Sequence, residues 1–145
     1  MKRLIYLLAL VIAIAASGTP AFAQQSGGLR IDFQGPGGHS SGAYGRVSAL
    51  HAAARAVILI QKALPAGSYQ ITNLTGGNSV NSIASDGLIE LKLTASSAAA
   101  YKELVALVTK AAAEGAAAEN AFRGVKAGDL TAGAPATIRS IVKPM

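Results

Sequence analysis

Few residues in this 145-residue sequence can do acid–base or metal chemistry: two histidines, seven carboxylates and no cysteine. His39 lies in the glycine-rich stretch GPGGHSSGAYGR, residues 35–46, whereas His51 lies beside the apolar stripe of a predicted helix. A zinc site needs three or four ligands drawn from such side chains. Because the carboxylates form no ligand-like group with either histidine, we expect no metal site and no cofactor.

His39 precedes two serines, but neighbours on one loop rarely align for proton transfer, so we expect no nucleophilic triad. The glycines resemble a phosphate-binding loop in composition alone, because the lysine of a Walker motif is missing. Gly35, Gly37 and Gly38 permit backbone conformations that are closed to other residues, which lets His39 project from the end of a strand. At this point, a turn that holds a histidine without function is an equal alternative.

Hydrophobic periodicity divides the rest of the chain into three clear strands and two helices, with a weaker strand near residues 125–130. In chain order, the clear segments are LRIDFQG (29–35), RVSALHAAARAVILIQKAL (46–64), SYQITNLTGG (68–77), GLIELKLTA (87–95) and SSAAAYKELVALVTKAAAEGAAAENAF (96–122). We expect Pro65 to end the first helix and Gly115 to weaken the second.

The order strand–helix–strand–strand–helix–strand predicts an α+β fold. It is a ferredoxin-like two-layer sandwich (β-α-β-β-α-β), with two helices on one face of an antiparallel sheet. We place this fold in a single domain over residues 24–145, with its core at about residues 29–132.

Residues 1–23 have the three-part layout of a secretory signal peptide: the basic start MKR, the apolar run LIYLLALVIAIAA and small residues at Ala21 and Ala23. We expect cleavage after Ala23 and a secreted or periplasmic protein without stable membrane insertion; an uncleaved anchor is the alternative. Cleavage removes Lys2 and Arg3, which lowers the net charge from +6 to 6 − 2 = +4. The remaining cations form no stripe with aromatic residues, so we expect no nucleic-acid partner.

The first helix is apolar on nearly its whole circumference, which is typical of a helix that is covered on two sides. We assign its core stripe to Val47, Leu50, Ala54, Val57 and Ile58. The opposite side is mostly alanine, and small side chains let a second helix approach closely. We therefore predict a homodimer interface there, formed by Ala49, Ala52, Ala53, Ala56, Leu59 and Ile60. The alternative is an alanine-rich helix that tolerates exposure, since alanine is the best helix former.

Two stretches taken together, GGHSSGAYGR (37–46) and GGNSVNSIASD (76–86), resemble the dimerisation, or lid, domain of the M20 family of metallopeptidases and related amidohydrolases. That family has a Gly-His turn after the first strand, and later a Gly-Gly pair followed at fixed spacing by asparagine and Ile-Pro-Asp. The resemblance implies that His39 crosses a dimer interface and donates a hydrogen bond to the oxyanion in a partner's active site. It also implies a substrate-binding role for Asn81, Gly76 and Gly77.

Three departures from the family pattern bear on function. Ala84 replaces the proline, which we expect to loosen a rigid turn, and an arginine usual at the end of the third strand is absent, with Lys92 and Thr94 nearby. The metal ligands of the family's catalytic domain have no counterpart in this sequence. We therefore expect that the chain is not an enzyme by itself.

Three functions are compatible with these features, and the sequence favours the first. It is an exported, non-catalytic dimerisation or lid-type module that self-associates or docks on a separate metallo-hydrolase chain. The second is the lid half of a split metal-dependent peptidase or amidohydrolase, which supplies His39 in trans. The third is a small ligand-binding module that uses the glycine loops or the polar sheet face.

Overall fold

The computed structural model describes residues 23–145, and within them four strands form one sheet that carries two long helices on one face. The sheet strands are β1 (Gln25–Gln34), β3 (Tyr69–Thr75), β5 (Asp86–Ala95) and β8 (Arg139–Pro144), and the long helices are α2 (Ala49–Ala63) and α3 (Ala98–Phe122). The short elements are β2 (Gly38–His39), α1 (Ser40–Ala43), β4 (Ser82–Ile83), β6 (Leu130–Thr131) and β7 (Ala134–Pro135). The expected signal peptide lies outside the described residues, apart from Ala23.

The sheet order is β3-β5-β1-β8, and every neighbouring pair of strands is antiparallel. Helix α2 packs against β5 and β3, whereas α3 packs against β8 and β5. This order and connectivity are those of a ferredoxin-like sandwich, so the predicted fold class is confirmed. From residue 23 onwards, no helix is both long enough and apolar enough to cross a membrane.

The buried face of the sheet comes from alternate residues of the two central strands, as predicted. Leu29, Ile31 and Phe33 of β1 are at most 3% exposed, and residues 89, 91 and 93 of β5 are fully buried. In the antiparallel register Leu29 lies opposite Leu91 and Ile31 lies opposite Ile89, so these side chains meet on one face. Helices α2 and α3 cover that face and complete the core.

The opposite face of the sheet is polar and carries a small ion-pair network. Arg30 Nε lies 2.8 Å from Asp32 Oδ1, and Lys143 Nζ lies 3.1 Å from Asp32 Oδ2. Arg30 Nη1 also lies 3.6 Å from Glu90 Oε1 on the neighbouring strand. Burial raises the pKa of Asp32, but hydrogen bonds from Lys143 and Arg30 outweigh it and hold that pKa below its usual value. These opposite charges across neighbouring strands support the β5-β1-β8 register.

Helix α3 runs without interruption through Gly115, where we expected a weak point. A Cβ atom at Gly115 would lie 2.8 Å from Ala52 O and 2.8 Å from Ala56 Cβ, both on α2. The expectation was wrong because this glycine serves the close approach of two helix backbones rather than the end of a helix.

The predicted homodimer interface on α2 is wrong, because the alanine-rich side faces the interior of the same chain. Its fully buried residues are Ala49, Ala52, Ala53, Ala56 and Ile60, and Leu59 is partly buried against the core. The helix that these small residues admit is α3. Of the residues that we assigned to the core, Val47 is fully buried as expected. Leu50, Ala54 and Val57 are only half-buried, and Ile58 is 52% exposed. Because both sides are apolar, periodicity alone did not distinguish the inner from the outer one.

A buried carboxylate joins the start of α2 to the last turns of α3. Glu119 is fully buried, and its Oε1 accepts hydrogen bonds from Ser48 N at 3.1 Å and Arg123 Nε at 3.2 Å. Its Oε2 accepts a hydrogen bond from Arg55 Nε at 3.1 Å. Both guanidinium groups lie over the Phe122 ring, 4.9 and 5.0 Å from its centroid. The buried charge is thus paired and hydrogen-bonded, as its desolvation requires.

The fourth strand of the sheet lies later in the chain than predicted. We expected it near residues 125–130, but β8 spans Arg139–Pro144 and pairs with β1. Leu130–Thr131 pairs instead with Ala134–Pro135 in a short hairpin. Because β8 lies at a sheet edge, its inner residues are only half-buried and its hydrophobic pattern is weak. The core also extends past residue 132, since Ile138 is buried.

Candidate functional site

Two short strands bring the two glycine-rich stretches together at one end of the sandwich. β2 pairs with β4, so that His39 lies opposite Ser82. Ser40 N donates to Asn81 O at 2.9 Å and extends this ladder by one hydrogen bond. The Gly-His turn after β1 and the loop before β5 therefore form one surface, although His39 and Asn81 are 42 residues apart in sequence.

His39 and Asn81, to which the family resemblance assigns functional roles, contact each other directly. Asn81 Nδ2 lies 3.1 Å from His39 Nε2. The other ring nitrogen, Nδ1, lies 2.7 Å from Ser41 Oγ and accepts a hydrogen bond from Ser41 N at 3.2 Å. Both side chains are exposed, so a group from outside the chain has access to them. Their catalytic and binding roles stay predictions.

Two serines, Ser41 and Ser79, hydrogen-bond to this pair, and the motifs alone did not indicate them. Ser79 Oγ donates a hydrogen bond to Asn81 Oδ1 and accepts one from Asn81 N at 3.4 Å. We considered Ser41 only as a nucleophile, whereas its amide and hydroxyl reach back to the His39 ring. The available signal was spacing, since a serine two residues from a polar group often bonds to it locally.

The two glycines predicted to bind substrate shape the loop between β3 and β4. A Cβ atom at Gly76 would lie 2.5 Å from Asp86 O, so a side chain there has no room. Gly77 has a φ of +74°, a conformation that favours glycine. Both residues line the cavity described next, and their binding role stays a prediction.

An open cavity of about 600 Å³ lies between the β3–β4 loop and the start of α2. The basic residues that line it are Arg46, His51 and Arg123. Val80 and Tyr44 also line it, with exposures of 108% and 94%. This cavity is not evident from the sequence, because its walls come from three separate segments of the chain.

Ala84, at the position of the family's proline, contacts the start of α2, and the expected loosening of this turn stays a prediction. Ala84 is buried, and its carbonyl oxygen accepts a hydrogen bond from Ala49 N at 2.9 Å, at the start of α2. Lys92 and Thr94 lie near the other end of β5, so they are separate from the His39–Asn81 contact. In the stretch 23–145, no three His, Asp or Glu side chains lie close enough together to hold a metal ion.

The fold and the site together define a ferredoxin-like α+β domain with an exposed histidine–asparagine pair at one end of its sheet. The peptidase dimerisation domain of the M20 family matches residues 24–120, and the chain belongs to this family. This domain is the dimerisation part of M20 hydrolases and is not catalytic by itself. A comparison with curated proteins finds no match.

Solved structures share this fold at low sequence identity. An aminobenzoyl-glutamate utilization protein from Klebsiella pneumoniae has a TM-score of 0.63 and 18% identity, with 88% of this chain covered. A tripeptidase from Staphylococcus aureus has a TM-score of 0.60 and 17% identity over 83% of this chain. An amidase of the hydantoinase/carbamoylase family from Burkholderia multivorans has a TM-score of 0.60 and 18% identity over 85%. The match spans 32%, 29% and 28% of those three chains, respectively.

Proposed function

We propose that this chain is an exported, non-catalytic dimerisation module of the lid type, which pairs with a second copy of itself along β3 and the outer side of α2. The observation that carries the proposal is an uncharged sheet edge beside an exposed apolar helix side. The family to which the chain belongs supports it, since its description is a dimerisation domain. This interface uses the side of α2 opposite to the buried alanines.

The two edges of the sheet differ in their chemistry. β8, at one edge, carries Arg139, Lys143 and Pro144, which are residue types that discourage pairing with a further strand. β3, at the other edge, has the sequence YQITNLT and contains neither a charged residue nor a proline. In the described part of the chain, no strand pairs with the outer side of β3. Its backbone N–H and C=O groups are therefore available to a partner strand.

Apolar side chains lie next to this open edge. Leu74 on β3 is 42% exposed, and Ile58 on α2 is 52% exposed. Tyr69 and Ile71 are half-buried and share the inner face with Leu74, because all three lie opposite core residues of β5. Because α2 packs against β3, we infer that these helix and strand side chains form one apolar band. A second copy that pairs β3 with β3 would cover this band at the same time.

Sedimentation equilibrium of the purified protein tests the proposed dimer. We expect a dimer at micromolar concentration, and we expect Ile58→Glu to weaken dimerisation at least tenfold, because it buries an unpaired charge. Leu130→Glu is the matched control: Leu130 is 68% exposed in the β6–β7 hairpin, away from the β3 edge. A monomeric wild type, or equal effects of the two substitutions, would contradict the proposed interface.

A second function, the lid half of a split metal-dependent hydrolase, is favoured by the exposed His39–Asn81 pair. In this role His39 Nε2 donates to the oxyanion formed in the active site of another chain, and Asn81 helps to bind the substrate. The tripeptidase and the amidase with this fold are hydrolases, and this chain aligns with less than a third of each. A metal-bearing partner would have to supply the remaining chemistry.

Activity in the exported fraction of source cells tests the second function. Loss of one oxyanion donor typically lowers kcat by about 100-fold or more, so His39→Ala should reduce metal-dependent peptide or amide hydrolysis by that factor. Ser40→Ala changes the neighbouring residue and should leave the rate unchanged. If His39→Ala has no effect while Ile58→Glu disrupts the dimer, the chain is a dimerisation module without a role in catalysis.

A further inference from the structure

We propose that Ser41 is a positioning residue that holds His39 as the Nε2–H tautomer, with its single N–H directed at the side-chain oxygen of Asn81. The functional consequence of this proposal rests on the second function proposed above, the lid half of a split hydrolase, which we call the lid function. The test of the tautomer does not depend on that function. The tautomer follows from the donors and acceptors around one exposed imidazole.

The backbone N–H of Ser41 is a group that can donate a hydrogen bond but cannot accept one. This N–H points at His39 Nδ1 across 3.2 Å, and a backbone amide nitrogen always donates. The Ser41 hydroxyl lies closer, at 2.7 Å, and can donate to the same nitrogen. His39 Nδ1 must therefore present its lone pair to Ser41.

A neutral imidazole carries one N–H, so an accepting Nδ1 places the hydrogen on Nε2. The atom of Asn81 that lies 3.1 Å from Nε2 is the amide nitrogen, Nδ2. With the hydrogen on Nε2, this orientation sets two donors against each other, whereas an amide turned by 180° would present its oxygen as an acceptor. Because the two ends of an amide have nearly the same shape, hydrogen bonding selects the orientation with Oδ1 toward His39.

The rest of the loop agrees with this orientation. Ser79 Oγ donates to Asn81 Oδ1 in the structure and accepts from Asn81 N at 3.4 Å. After the amide is turned, Asn81 Nδ2 takes the place of Oδ1 and Ser79 Oγ accepts from it instead. Every donor then meets an acceptor, from Ser41 through His39 and Asn81 to Ser79. The opposite tautomer would place the His39 Nδ1–H against the Ser41 N–H.

This tautomer is the one that the lid function requires. An oxyanion needs a hydrogen-bond donor, and the Nε2–H is the exposed donor of the ring. In the free chain the neutral oxygen of Asn81 takes the position of that acceptor. A charged oxyanion is a stronger acceptor and would replace it. Ser41, Asn81 and Ser79 thus keep the proton of His39 on Nε2, and no carboxylate is needed for this.

Long-range ¹H–¹⁵N correlation spectra of the labelled protein test the proposal directly. At about pH 8.5, well above the ordinary histidine pKa of about 6.5, they report the tautomer of a neutral ring. We expect His39 to be almost entirely Nε2–H in the native protein, and to show only the weaker Nε2–H preference of an unconstrained histidine when the protein is unfolded in urea. Ser41→Ala removes the hydroxyl but keeps the N–H, and should shift the tautomer ratio about fivefold toward Nδ1–H.

Two further variants separate positioning from folding. Ser41→Thr restores the hydroxyl and should restore the native tautomer ratio, whereas Ser40→Ala should leave it unchanged. A native ratio equal to that in urea, or a ratio that Ser41→Ala does not move, overturns the proposal. The spectra need no partner, so a failed hydrolysis experiment with the expected spectra refutes the lid function alone. Hydrolysis that depends on His39, together with an unselected tautomer, refutes this inference alone.

Discussion

Glu119 shows how a single residue can couple two helices. Its position in an alanine-rich stretch gave no sign of burial, and a glutamate there usually faces solvent. The structure buries it completely and surrounds it with two guanidinium groups and the Ser48 amide. A charged residue of this kind is identified only when the two helix ends are known to meet. His39 is similar, because its partners Ser41 and Asn81 came from the fold rather than from its motif alone.

At this scale we predict that Glu119→Ala is strongly destabilising. The substitution leaves Ser48 N without its acceptor and two arginines without their counter-ion. We discount the usual cost of breaking a buried ion pair because Arg55 and Arg123 are partly exposed, and expect about 2 to 4 kcal/mol in the free energy of unfolding. Urea denaturation measures this loss. Glu114→Ala, on the exposed side of the same helix, should cost less than about 0.5 kcal/mol, and a similar loss for both would refute the role of Glu119.

At the scale of elements, the decisive contact is between α2 and α3. Both helices have small residues where they meet, which allows the backbones to approach closely. From sequence we inferred that a second helix approaches the alanine side of α2, and one does. The predicted source of that helix was wrong, because it is α3 of the same chain rather than a helix of another copy.

This packing predicts that Gly115→Ala changes stability in the direction opposite to the one that helix propensity predicts. Alanine is favoured over glycine by about 1 kcal/mol inside a helix, so Gly115→Ala should stabilise α3 if the site were open. Because the new Cβ would meet Ala52 and Ala56 at 2.8 Å, we expect destabilisation by about 1 to 3 kcal/mol instead. Thermal and urea unfolding measure the sign. Ala118→Gly, at an exposed position of α3, should follow propensity and lose about 1 kcal/mol. A more stable Gly115→Ala protein would refute the close approach.

At the scale of the whole molecule, the sheet has one edge protected by charge and proline and one edge open to pairing. The His39–Asn81 pair lies at one end of this sheet, where the turn after β1 meets the loop before β5. A module that pairs along β3 could therefore display two such sites, one from each copy.

The proposed export predicts a mature chain that starts at Gln24. Mass spectrometry of the intact exported protein measures its first residue. Signal cleavage needs small residues at the A-x-A positions, so Ala23→Leu should leave the precursor uncut, whereas Phe22→Leu changes the position between them and should be cut normally. An uncut wild-type chain retained in the membrane would instead support the anchor hypothesis.

The sequence by itself determined the fold class, because alternation in β1 and β5 and helical periodicity between them report local geometry directly. It also pointed to His39 and Asn81, through motifs that a family resemblance connects. The tertiary structure decided which side of α2 is buried, where the fourth strand lies, and which serines hold the histidine. Hydrophobic periodicity shows which side of a helix or strand is apolar. Only the arrival of a second element, here α3 or the β3–β4 loop, decides what that side contacts.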